Sequence, residues 1–205
     1  MYSLLSLALQ YPDEEVTDLL FGGWAQGVLT SSLDELRGFG YESIEELEQL
    51  SETLSREWDA SDLRKEYTRL FISSHLKLPC PPYESVYVSK ERGVLSDDIL
   101  EVLAIMRSWG LGISEDFKDL PEHVAVELEL AAYLLEQMKL GIQESDPEYA
   151  ERAERDLRKL IAHLRRWVPR FSQCVNAETR VEFYRDIVAA LDAYIEDEAN
   201  LLNLE

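Results

Sequence analysis

Basic residues are scarce in this chain of 205 residues. Twenty Lys and Arg stand against 41 Asp and Glu, so the formal net charge is −21. Such a charge repels phosphate backbones and anionic membrane surfaces, which disfavours nucleic-acid binding and favours a basic partner. The alternative is that the acidic residues only keep the chain in solution. No apolar run approaches the roughly 18 residues that a membrane span needs, so no span is predicted.

Cysteine is almost absent as well. Cys80 and Cys174 lie far apart and form no recognisable disulfide framework, which favours a reducing, intracellular setting and an inert buried thiol at Cys80. His75 and Cys80 could reach one metal ion, but no second pair of ligands is visible, and a structural zinc site wants four. The apolar N-terminal run lacks a preceding basic region, so it is expected to be a first helix and not an export signal. We therefore expect a cytoplasmic chain without a bound metal.

The common enzyme signatures are missing too. The sequence contains no GxxxxGK[ST] phosphate loop and no GxGxxG, GxSxG or HExxH motif. It also lacks the repeated Glu-x-x-His pairs of a di-iron bundle. No motif supports catalysis, and no cofactor is predicted.

What the sequence does contain is helical periodicity, with apolar residues at i, i+3, i+4 and i+7 over most of its length. We predict an all-α, single-domain bundle with one long proline-rich connector over 73–94, which is also a plausible hinge for exchange between subunits. Pro169 should kink or end the helix that contains it. The expected helices cover 1–10, 14–30, 43–56, a segment from 62 to about 72, 96–110, 119–141, 146–171 and 177–202.

The connector contains an unusual stretch, LPCPPYESVY at 78–87. Its three prolines lack an N–H and exclude a helix, and only 85–89 has β character. The stretch nevertheless carries more aromatic surface than a solvated connector needs. A rigid, apolar segment of this kind is suited to form one wall of a binding groove.

A second unusual stretch begins at Asp119. Asp119 reads as an N-cap, with Pro121 in the first turn and Glu122 at N3. A helix start gives His123 no structural reason to be there, so His123 either bonds to neighbouring backbone as a buried residue or has a role in recognition. Glu127 and Glu129 could suggest a carboxylate site. Their alternative reading is as partly solvated helix charges, which suits Glu129 better.

Together these stretches resemble the redox-enzyme maturation chaperones of the TorD/DmsD type, which are related more distantly to NarJ. The family's Tyr-x-x-Leu-Phe and its proline-rich segment ending in Ser-Val-Tyr are matched by Tyr67, Leu70, Phe71, Pro81, Pro82, Tyr83, Ser85, Val86 and Tyr87. Its second motif is matched by Asp119, Pro121, Glu122, His123, Glu127, Leu128 and Glu129, and its C-terminal half by His163, Trp167, Pro169, Phe171, Phe183 and Tyr184. The family commonly has Glu and Asp where this chain has Asp119 and Glu122. The resemblance runs from 67 to the C-terminus.

This resemblance implies a chaperone. It would bind the twin-arginine signal peptide, or the apo catalytic subunit, of a molybdopterin-dependent oxidoreductase and hold it until cofactor insertion and export. Such a leader has a basic region and an apolar region, so its receptor needs carboxylates and an apolar groove. The chaperone would be a monomer or a domain-swapped dimer. The implied peptide-binding residues are Tyr67, Leu70, Phe71, Pro81, Pro82, Tyr83, Ser85, Tyr87, Asp119, Glu122, His123 and Glu127.

Two other classes stay open on the sequence. One is a helical enzyme that binds or hydrolyses nucleotides, which the charge of −21 argues against. The other is a structural subunit of a redox complex.

Overall fold

The computed structural model describes residues 1–73, 78–88, 97–112 and 120–204, without the side chains of 97 and 98. The described part is built of helices with no strand, which confirms the predicted all-α fold. A π-helical turn, Thr68–Ile72, extends α5. The helices of the described part are α1 Tyr2–Ala8, α2 Glu14–Phe21, α3 Trp24–Gly38, α4 Ile44–Leu54, α5 Ala60–Tyr67, α6 Glu84–Val88, α7 Asp97–Ser108, α8 Val124–Gln143, α9 Pro147–Glu178 and α10 Glu182–Leu201.

The 32-residue α9 is the central element of the core. It packs against both α8 and α10, while α1 packs on α8 and α4 packs on α10. The α9 face buried by these contacts includes Trp167 and Phe171, which are both 0% exposed. One continuous cluster of buried apolar residues runs from α1 to α10. None of the helices in the described ranges is both long and apolar enough to cross a membrane.

The start of α9 is where the sequence predicts it. The Asp146 side chain accepts a hydrogen bond from the N–H of Tyr149, and Pro147 occupies the first helical position, where its missing N–H costs nothing. The helix does not end at Pro169 but continues to Glu178. Pro169 therefore sits inside a helix whose buried face is held by packing on both sides.

The start of α8 differs from the prediction. The first helical residue is Val124, and its N-cap is His123, whose Nδ1 accepts a hydrogen bond from the N–H of Ala125 at 3.1 Å. Pro121 and Glu122 form a turn before the helix, so neither occupies its first turn. The predicted N-cap, Asp119, lies outside the described residues. At the other end α8 continues past Gly141 to Gln143.

Two smaller corrections concern the first half. Gly22 and Gly23 separate α2 from α3 and do not merely loosen one helix, because Gly23 adopts a left-handed φ of 101°. Ser43 occupies the N-cap of α4 as predicted, but its hydroxyl makes no capping bond. Its backbone N–H donates instead to Asp197 on α10 at 2.7 Å, so a contact across the bundle replaces the local cap.

The proline-rich connector is also more ordered than predicted. Residues 84–88 form α6, so the exclusion of a helix from 78–87 was wrong for 84–87, and the β character of 85–89 is not seen in its described part, 85–88. Pro81 and Pro82 precede the helix and stay non-helical, as predicted. The suggested hinge over 73–94 stays a prediction, since part of that range lies outside the described residues.

Candidate functional site

The described part of the connector, 78–88, is here called the proline segment. It is docked along the start of α8 by backbone bonds. Pro82 O accepts from the N–H of Val124 at 2.9 Å, and the N–H of Glu84 donates to Glu122 O at 3.3 Å. Tyr83 forms an isolated antiparallel bridge with His123, and their rings meet edge to face at 5.7 Å. The two stretches that the sequence singled out are thus in direct contact.

The Glu122 side chain fastens this contact. It is only 6% exposed. Its Oε2 accepts from the N–H of Ser85 and its Oε1 from the Ser85 hydroxyl, each at 3.1 Å. Glu122 thereby caps α6, which explains why 85–88 is helical despite its β-prone sequence. The local pattern has only β character, and the helix is stabilised by a carboxylate 37 residues away in the sequence.

The end of the proline segment lies on α9. The Tyr87 ring stacks on Trp167 at 5.9 Å and meets Phe171 edge to face at 6.0 Å. Arg170 Nη1 donates to the carbonyl oxygen of Tyr87 at 2.7 Å. The Tyr87 hydroxyl is buried and has no hydrogen-bond partner among the described residues, and burial raises the pKa of that hydroxyl.

The other end of the segment is covalently attached to α9. Cys80 and Cys174 form a disulfide with a Cα–Cα distance of 5.8 Å. This overturns two sequence-based expectations, the absence of a disulfide framework and the inert buried thiol at Cys80. It also removes Cys80 as a thiolate ligand for a metal ion, while His75 lies outside the described residues. The described residues contain no cluster of His, Cys, Asp and Glu that could hold a metal.

The residues of the Tyr-x-x-Leu-Phe motif lie behind the proline segment, inside the core. Tyr67, Leu70 and Phe71 are each at most 4% exposed. The Tyr67 hydroxyl donates to Leu9 O at 3.1 Å, and Leu70 O accepts from the N–H of Cys80 at 3.1 Å. They are therefore core residues, and Leu70 is bonded directly to the proline segment.

A buried polar cluster centred on Glu127 lies beneath the proline segment. Glu127 is 0% exposed. Its Oε1 lies 3.2 Å from His163 Nε2, and its Oε2 accepts a hydrogen bond from Trp167 Nε1 at 3.2 Å. Burial raises the pKa of Glu127 against the opposing attraction of His163. Burial alone would lower the pKa of His163, but the Glu127 carboxylate outweighs it and raises that pKa. Glu129 on the same helix is exposed, which agrees with its reading as a solvated charge.

The predicted site residues therefore divide by burial. Buried members are Pro82, Glu122, His123 and Glu127, together with Tyr67, Leu70 and Phe71. Partly exposed members are Pro81, Tyr83, Ser85 and Tyr87. Nearby Val86 and Leu120, which the prediction did not include, are 52% and 50% exposed. Sequence reasoning also missed Cys174 and Arg170. In the sequence, both positions stand out only because they lie in the C-terminal stretch that resembles the family. That resemblance does not specify which residues they contact.

Comparison with known proteins gives the class of this helical chain. The sequence profile of the nitrate reductase delta subunit family matches residues 40–173. The chain therefore belongs to that family, and the match includes the proline segment, the start of α8 and most of α9.

Individual relatives define the class more narrowly. The chain is 29% identical over 163 residues to the chaperone protein TorD of Photobacterium profundum, covering 78% of this chain and 74% of the relative. It is 25% identical to the perchlorate reductase assembly chaperone protein of Dechloromonas aromatica, covering 96% and 85%. A crystal structure from Archaeoglobus fulgidus, of a protein assigned to redox enzyme maturation, matches with a TM-score of 0.54 and 26% identity, covering 95% and 91%. The chain is a TorD/NarJ-type chaperone and not an enzyme, as the resemblance predicted.

Proposed function

We propose that this chaperone acts in the cytoplasm on the catalytic subunit of a molybdopterin-dependent oxidoreductase. It binds the twin-arginine leader of that subunit and holds it until the cofactor is inserted and export can begin. The observation that supports this most is the docked proline segment. Partly exposed Tyr83 and exposed Val86 and Leu120 lie directly beside the buried carboxylate of Glu122.

The two halves of such a leader have matching chemistry here. Its apolar region would lie against Tyr83, Val86 and Leu120, where an apolar surface is already exposed. Its arginines would pair with carboxylates of the start of α8, where forked hydrogen bonds are strong. A carboxylate has about four acceptor positions, and Ser85 occupies two on Glu122. Among the buried members of the predicted set, Glu122 would pair with the leader. The others, Tyr67, Leu70, Phe71, Pro82, His123 and Glu127, would hold the groove in shape and not touch it.

Calorimetric titration with a synthetic leader tests the proposal. We expect stoichiometric binding, weakened when both arginines are replaced by lysine, because lysine cannot form the forked bond. Tyr83→Ala should weaken binding about tenfold without lowering the melting temperature. Tyr149→Ala is the matched control: Tyr149 is also partly exposed but lies near the start of α9, roughly 27 Å along the helix from Trp167. Equal affinity of the two variants would remove Tyr83 from the groove, and no binding by the unaltered chain would refute the function.

A further inference from the structure

We propose that the Cys80–Cys174 disulfide is a reversible latch on the proline segment. When it is oxidised, the segment is held down over Glu122; when it is reduced, the segment can lift and admit the leader. The inference rests on the proposed cytoplasmic function, because a disulfide in a reducing compartment is usually transient and redox-sensing and not a permanent staple.

The first observation is that the disulfide-bonded structure covers the carboxylate that a leader arginine would need. Glu122 is 6% exposed. Both oxygens of Glu122 accept bonds from Ser85, which belongs to the proline segment. One acceptor position remains on each oxygen of Glu122, but the carboxylate is buried beneath the segment. A guanidinium group therefore reaches both positions in a forked geometry only if the segment moves away from α8.

The second observation is how the segment is held. Its end at Tyr87 is attached to α9 by a stacked ring and by a bond from Arg170. Its beginning is attached to α9 by the disulfide and to the π-helical turn by a backbone bond from Cys80 to Leu70. Breaking the disulfide removes the covalent attachment of the beginning, while the end stays fixed. Between them the segment is then held by noncovalent contacts, which include the hydrogen bonds to Leu70, Glu122 and Val124. The segment would then pivot about Tyr87.

The third observation is the accessibility of the two sulfur-bearing residues. Cys80 is buried at 0% exposed, whereas Cys174 is partly exposed. A thiolate of a dithiol reductant would therefore attack Cys174 Sγ. The S–S bond breaks and Cys80 leaves as a thiolate that takes up a proton. The second thiol of the reductant then displaces Cys174, so two electrons pass to the pair and the reductant becomes a disulfide.

Amide hydrogen exchange read by NMR tests the latch itself, with the purified chain before and after reduction by dithiothreitol and with thiol alkylation to count free cysteines. We expect faster exchange at Cys80, Glu84, Ser85 and Val124, whose N–H groups hold the segment. The amides of α10 serve as the internal control and should not change. Cys174→Ser should exchange like the reduced chain and be insensitive to the reductant. Unchanged exchange at these four amides would overturn the proposal.

Leader titration on the same samples tests the consequence. A chain whose open state is ten times more populated should bind about ten times more tightly. We therefore expect an approximately tenfold gain in affinity on reduction and in Cys174→Ser, and no redox dependence in that variant. Weaker or equal binding by the reduced chain would refute the latch. If exchange speeds up on reduction but neither form binds the leader, the latch stands and the proposed function fails.

Discussion

The buried pair of Glu127 and His163 gives a prediction with a definite sign. Replacing Glu127 by Gln keeps the shape of the side chain, and its amide can still accept from Trp167 and donate to His163. The substitution removes the negative charge that raises the pKa of His163. Burial is then the largest remaining influence and lowers that pKa, against a smaller opposing effect of Glu84. Because the hydrogen bonds persist, we expect a loss of only about 1 kcal/mol at neutral pH. Glu127→Ala leaves two buried partners unsatisfied and should cost about 3–5 kcal/mol.

The pH dependence distinguishes the ion pair from simple packing. In the unaltered chain the folded-state pKa of His163 lies above its ordinary value of 6.5, so this stabilising contribution is complete below that value and is lost as the pH rises through the folded pKa. The raised pKa of Glu127 acts in the same direction, starting from 4.5. In Glu127→Gln the pKa of His163 is lowered instead, so the histidine stabilises the fold increasingly as the pH rises towards 6.5. The stability difference between the two proteins should therefore shrink from pH 5.5 to 8.5.

Neighbouring charges do not change this sign. Glu122 faces Glu127 and raises its pKa further. Glu84 raises the pKa of His163, while Arg166 opposes it. Glu84 and Arg166 act on His163 in both proteins, so their effects cancel in the comparison. The effect of Glu122 is lost together with the Glu127 carboxyl, and it has the same sign as the predicted trend.

Urea unfolding at pH 5.5, 7.0 and 8.5 provides the measurement. Glu129→Gln is the matched control, because it removes one carboxylate from the same helix at an exposed position. It should track the unaltered chain at all three pH values. If Glu127→Gln and Glu129→Gln have the same pH profile, the ion pair does not contribute as argued.

Two further substitutions test single contacts. Tyr87→Phe should raise the free energy of unfolding by about 1 kcal/mol, because it removes a buried hydroxyl that has no partner in the described part of the chain. A lower free energy of unfolding in urea would show that the hydroxyl is satisfied. Gly141→Ala should cost about 1–3 kcal/mol, because the added Cβ would lie 2.7 Å from the backbone nitrogen of Ala150. The control Gly27→Ala, inside α3 with open space around it, should instead gain about 0.5–1 kcal/mol, and equal effects at both glycines would contradict the close approach.

The sequence predicted the helices well where the signals are local. Asp146 and Pro147 start α9 by contacts within one turn, so the pattern alone was sufficient. The start of α8 was mispredicted because Asp119, Pro121 and Glu122 match a common capping pattern, whereas the N-cap is His123, whose imidazole accepts from Ala125. Histidine is not among the usual capping residues, so pattern reading gave it no weight.

Contacts between distant parts of the chain were beyond prediction from one sequence. The disulfide joins positions 94 residues apart, and two cysteines in a chain of this length carry no information on whether they meet. The same holds for Pro169, which a helix tolerates here because packing against two neighbouring helices outweighs one missing hydrogen bond. In both cases the deciding energy comes from tertiary contacts.

The candidate site shows why a motif match does not by itself separate contact from support. Phe71 and Tyr83 both belong to the matched pattern, yet Phe71 is 3% exposed while Tyr83 is partly exposed. If the chain binds a leader as proposed, a substitution at either position would weaken that binding, because a binding surface is disturbed by loss of its supporting residues as well as by a change in the surface itself. Only the unfolding free energy distinguishes the two causes. For this reason a loss of leader binding at Phe71 would be evidence about the core, and the same loss at Tyr83 with unchanged stability would be evidence about the groove.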